Sequence, residues 1–142
     1  MVLKIRDLEY EIITAYVSLR DSEKDYCMGI DIFARTKDEK IASEISEVQL
    51  YVDAFHTNVH TVEELVNKKF IWDSVENNNH ESAGTLTIVE FEDVTKGTIE
   101  VLKVEGNQIT IRWNGTGNIY WDNEFGKDVP FTTEFTTEFS IE

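Results

Sequence analysis

The sequence predicts a mainly β domain of the α+β kind, an antiparallel sandwich or strongly bent sheet of about 7–8 strands with one covering helix. Three observations carry this expectation. Apolar and polar residues alternate at period two along most of the chain, turn-forming residues punctuate the alternating runs, and a single segment has helical spacing. The 142 residues fit one domain spanning positions 1–142. A chain of that length can bury roughly two-thirds of the surface its unfolded form exposes, so a core forms without disulfides.

In chain order, Tyr10 and Ile12 share one parity, whereas Ile13, Ala15, Val17 and Leu19 hold the other. A β-bulge or a strand covered on both faces accounts for such a switch. Arg20 to Asp25 reads as a hairpin turn into a strand that turns Tyr26, Met28, Ile30, Ile32 and Ala34 to one face. Lys37 to Lys40 reads as an exposed connection, followed by a strand from Glu47 to Ala54 with Val48, Leu50, Val52 and Ala54 inward. The helix is expected from Thr61. Thr61-Val62-Glu63-Glu64 has the form of a capping box, and Val62, Leu65, Val66 and Phe70 make an apolar stripe ahead of a polar loop, Glu76 to Ser82.

An antiparallel meander should follow, with strands at about Thr85 to Glu92, Thr98 to Val104, Gln108 to Trp113, Asn118 to Trp121 and Phe131 to Ile141. Glu105-Gly106-Asn107 supplies one tight turn and Asn114-Gly115-Thr116-Gly117 a hairpin loop. Pro130 opens the last strand, where its missing N–H matters least. Phe131, Phe135 and Phe139 then fall on one face of that strand and Glu134 and Glu138 on the other.

Charge narrows the function. The chain carries 28 acids against 13 Lys and Arg, a net charge of −15, which repels phosphate backbones and anionic lipid. Nucleic acid and membrane are therefore poor partners. The N-terminus turns charged too early for a secretory signal, and the lone Cys27 fits a reducing compartment, so the expected location is cytoplasmic. Residues 72–142 hold 14 acids but only 4 bases, and no Lys or Arg occurs from Phe70 to Thr95. Asp73, Glu76, Glu81, Glu90, Glu92 and Asp93 all lie in that window, as a candidate docking surface for a basic partner.

Other motifs are weaker. His56 and His60 have a spacing that places two imidazoles on one face of a helix, but Thr61 caps after them and the glutamate of a zinc-protease motif is missing. They read as loop histidines, and no metal or cofactor is expected. Cys27 lies mid-strand, where a thiol is usually inert filler. Trp113 to Phe125 mixes aromatics, amides and acids in the manner of sugar-binding surfaces. Trp113 continues the inward Ile109 and Ile111 parity, leaving Tyr120, Trp121, Asp122, Asn123 and Glu124 as the alternative ligand site. Asp122, Glu124 and Asp128 depart from a calcium-loop pattern and from the separated carboxylates of a glycosidase, and no nucleophile motif is present.

Two readings lead, with a hydrolase built on Asp122, Glu124 and a histidine as a third. The first is a non-catalytic acidic binding protein, an immunity or inhibitor protein docking on a basic protein such as a bacterial toxin domain, because a concentrated negative face accelerates encounter with a cation. In general type the chain is similar to the small, strand-rich, acidic cytoplasmic proteins encoded beside bacterial toxins, although no motif ties it to one family. The second is a carbohydrate or small-ligand binding β-domain using Trp113 to Phe125.

Overall fold

A computed structural model describes residues 1–41, 43–121 and 124–142, without the side chains of Trp121 and Glu124. The nine strands are β1 (Val2–Ile5), β2 (Leu8–Asp21), β3 (Tyr26–Arg35), β4 (Glu47–His56), β5 (Lys69–Trp72), β6 (Thr85–Ile88), β7 (Glu90–Glu105), β8 (Gln108–Trp121) and β9 (Glu124–Ile141). Eight of them close into an antiparallel barrel in the order β7-β6-β4-β3-β2-β1-β9-β8, with β8 returning to β7. Strand β5 is added to β7 just beyond the stretch that pairs with β6. Where the short β1 ends, β2 and β9 meet directly in a parallel contact from Val17↔Phe139 to Leu19↔Ile141.

Closure into a barrel replaces the predicted sandwich or bent sheet. It gives each barrel strand neighbours on both sides while β5 keeps an outer edge, and sequence periodicity cannot reveal it because period two reports a face and never a neighbour. The last strand is central: β8 flanks one side, β1 and β2 the other. Apolar side chains fill the interior, among them Leu3, Tyr10, Met28, Leu50, Trp113 and Phe135.

Bulges explain where inward parity changes. Strands β2 and β3 shift register between Ile12 and Thr14, so Ile13 is left over and 48% exposed while Val17 and Leu19 rejoin the core. A second shift sets Asp53 and Ala54 of β4 against Gly29 alone, which makes Phe55 inward rather than Ala54. The expected strand from Thr85 to Glu92 folds back on itself at Val89, whose φ of 64° is unusual for a β-branched residue.

The covering helix is absent among the described residues. Val62–Leu65 makes a single 3₁₀ turn, and the Thr61 hydroxyl bonds the Glu64 carboxylate instead of a backbone amide. Asn67 then takes a φ of 68° and donates its N–H to Val101, which ends helical winding and lays Phe70-Ile71-Trp72 along β7 as β5. Aromatic and β-branched residues suit that strand, so Phe70 of the apolar stripe is taken up by sheet pairing, Leu65 is buried from the 3₁₀ turn and Val66 is left exposed. Phe70 and Trp72 pack on Phe55 with ring centroids 5.0 and 5.1 Å apart.

The second predicted turn is likewise a continuous strand. Asn114 to Gly117 run straight through β8, and Gly115 serves close packing: a Cβ there would stand 2.5 Å from the Lys96 carbonyl and 2.7 Å from the Phe131 ring. The turn at Gly106-Asn107 forms as expected, with Gly106 at φ 62°. Pro130 falls inside β9, opposite Thr116, rather than at its start. No helix is long and apolar enough to cross a membrane among the described residues.

Candidate functional site

With the interior packed, chemistry is available on the outer wall and at the rims. Directly paired residues of adjacent strands point to the same face, so the registers define rows of side chains across the barrel. One outward row runs Tyr16–Asp31–Tyr51–Thr85–Asp93 over β2, β3, β4, β6 and β7. Beside it runs Thr14–Phe33–Gln49–Thr87–Phe91. Tyr16 is 65% and Phe91 68% exposed, high values for large aromatic groups.

A groove of about 790 Å³ opens along the first row, toward the end of β9. Gly29 leaves its floor bare, with Ser18 Oγ only 3.1 Å from where a Cβ would be. Asp31, Asp53, Glu138 and Glu142 line it, with Arg20 as the one cation among the described residues. Gln49 holds Asp31 through Nε2 at 2.8 Å, and the Tyr51 hydroxyl donates to Asp53 at 3.4 Å. Burial, with the charge and hydrogen bond of Asp53 and the charge of Asp31, raises the Tyr51 phenol above its ordinary range and keeps it protonated. Arg35, Lys103 and Arg112 pair with acids elsewhere on the surface.

Of the acids singled out in sequence, Glu90, Glu92 and Asp93 begin β7, and Asp93 joins the outward row. Glu90 and Glu92 instead share the side of their partners Ile88 and Leu86. Asp73, Glu76 and Glu81 belong to the β5–β6 connection. Asp73 and Glu76 are exposed. Glu81 is engaged within the fold, accepting from the His56 amide at 2.7 Å and from Asn77 Nδ2 at 2.9 Å. The groove acids were not anticipated; their signal was an outward Asp31 and Asp53 on strands whose register no sequence pattern sets.

In the alternative region, Trp113 is wholly buried and offers no stacking face. Tyr120 is 57% exposed. Asp122 and Asn123, with the side chains of Trp121 and Glu124, lie outside the described residues. Asp128 accepts from the Thr95 hydroxyl at 3.1 Å.

A second cluster forms at one rim. His56 is the last residue of β4 rather than a loop residue, and it pairs with Cys27 near the start of β3. Cys27 Sγ is 3.4 Å and Asp25 Oδ1 2.8 Å from the same ring nitrogen, His56 Nδ1. The three donor atoms lie within 4.8 Å of one another and are able to hold a metal. Asp25 is also fixed by Ser22 Oγ and by the Asn58 amide, each at 2.8 Å. Burial alone would raise the Asp25 carboxyl, but the hydrogen bonds from His56, Asn58 and Ser22, together with the charge of His56, outweigh it and hold the group below its usual range. His60 is exposed and outside this cluster, so the His-x-x-x-His pair is not a unit. Comparison with protein families, curated proteins and solved structures returns no match.

Proposed function

We propose that the chain is a non-catalytic acidic binding protein that docks on a basic protein, in the manner of an immunity or inhibitor protein neutralising a bacterial toxin domain in the cytoplasm. One observation carries the reading: the outward row of alternating aromatics and acids that enters the groove, where four acidic residues face one arginine. Tyr16 and Tyr51 offer ring faces for a Lys or Arg side chain, and Asp31 and Asp53 offer its counter-charge. The partner's cation would lie between them. Asp73, Glu76, Glu90, Glu92 and Asp93 extend the negative field that steers approach, while Glu81 shapes the loop.

The alternative, a carbohydrate or small ligand held by Tyr120, Trp121, Asp122, Asn123 and Glu124, has only the exposed Tyr120 as a described side chain to support it. The test is co-expression with the product of the adjacent gene, followed by association kinetics of the purified pair. Growth arrest by that product should be relieved by this chain, and the association rate should fall about tenfold or more between about 50 mM and about 500 mM salt. An Asp31→Lys, Asp93→Lys variant that folds should lose both effects. Undiminished rescue and association in that variant would overturn the reading.

A further inference from the structure

The rim cluster has no part in the docking surface, and its geometry calls for an explanation of its own. Asp25 Oδ1 and Cys27 Sγ both approach His56 Nδ1, yet that nitrogen carries at most one proton and can satisfy only one of them. A cation at their common focus satisfies all three. Donors about 2.0–2.3 Å from a tetrahedral ion stand about 3.3–3.6 Å from one another. The sulfur-to-nitrogen distance of 3.4 Å already meets this spacing. Asp25 Oδ1, at 2.8 Å from the nitrogen, must retreat by only about half an ångström.

The surroundings fit as well. Ser22 and the Asn58 amide orient the Asp25 carboxylate, as supporting groups do around metal ligands. Cys27 and Asp25 are buried while the His56 side chain is about half exposed, which places the cluster at the boundary between core and solvent. Thiolate and imidazole together select a borderline or soft ion over calcium or magnesium.

We propose that Asp25, Cys27 and His56 form a transition-metal site, with zinc(II) as the ion class and water in the fourth position. Binding forms bonds from the metal to Sγ, Nδ1 and Oδ1. The Cys27 thiol proton and the Nδ1 proton that His56 donates to Asp25 leave to solvent, and the neutral ring retains its proton on Nε2.

Cobalt(II) titration of the reduced chain tests this, with a non-thiol reductant present. The expected result is one cobalt per chain, a thiolate-to-cobalt charge-transfer band and tetrahedral d–d bands, all displaced by zinc. Cys27→Ser should abolish the charge-transfer band, and His56→Gln should weaken cobalt binding at least about tenfold. His60→Gln should leave it unchanged. Because Cys27 is buried, circular dichroism checks each variant's fold, and if Cys27→Ser misfolds, His56→Gln at the half-exposed position decides. Absence of the charge-transfer band in the folded wild type, or binding of equal strength in His56→Gln, would overturn the site.

Discussion

The Trp113 and Phe131 corner inside the barrel and the Tyr16, Tyr51 and Phe91 surface outside it use the same residue types for opposite ends. Inside, the two rings meet edge to face at 6.0 Å, and Gly84 and Gly115 make the room they occupy. Outside, the rings alternate with acids and project from paired strands into solvent. An aromatic residue in a strand is therefore committed to the core less by its own character than by the glycine that faces it and by the parity its bulges assign.

The sharpest break of this contrast is Trp113→Ala, which should cost about 3–5 kcal/mol in chemical denaturation because the cavity cannot collapse around a rigid barrel wall. Trp113→Phe should cost less than about 1.5 kcal/mol, since it keeps a ring and removes an indole N–H that is buried without a partner among the described residues. A loss in Trp113→Phe as large as in Trp113→Ala would place the stability in the indole nitrogen instead.

A second core ring gives a pH signature. Tyr10 is buried, donates its hydroxyl to the Ile45 carbonyl at 2.8 Å, and has its phenol pushed up to about 12 by burial. The unfolded phenol ionises first, near pH 10, so the folded state binds the proton more tightly above that pH and stability declines as pH rises toward 12. The decline should reach about 2–3 kcal/mol, with no slope from this group below about pH 10. Equilibrium unfolding across that range in wild type and Tyr10→Phe checks it, and the variant's curve should be flatter. The smallest effect belongs outside: Tyr16→Ala and Phe91→Ser should each change stability by within about 0.5 kcal/mol, while slowing docking to a basic partner.

Much of the β content was legible because alternation is local. Met28, Ile30, Ile32, Val48, Leu50 and Phe135 point inward as their parity requires. What sequence concealed depends on distant partners. The stripe at Val62, Leu65, Val66 and Phe70 fits a helix equally well until β7 offers Phe70 a ladder. Gly115 resembles a turn residue until Phe131 occupies the space over it. The same holds for the candidate sites: Cys27 and His56 are neighbours only through the β3–β4 register, and Asp31 meets Tyr51 for the same reason. Trp113, by contrast, was readable from the parity of Ile109 and Ile111.

The barrel closes between the two ends of the chain: Leu3 of β1 lies against Thr133 of β9, nearly the whole chain away, and Val17 of β2 lies against Phe139. During synthesis, then, β1, β2 and β8 must wait for β9 with a hydrogen-bonding edge uncovered, and the half-built sheet is the species most exposed to aggregation. Slow translation of the final strand would lengthen that exposure, and a chaperone that shields open β edges would shorten it.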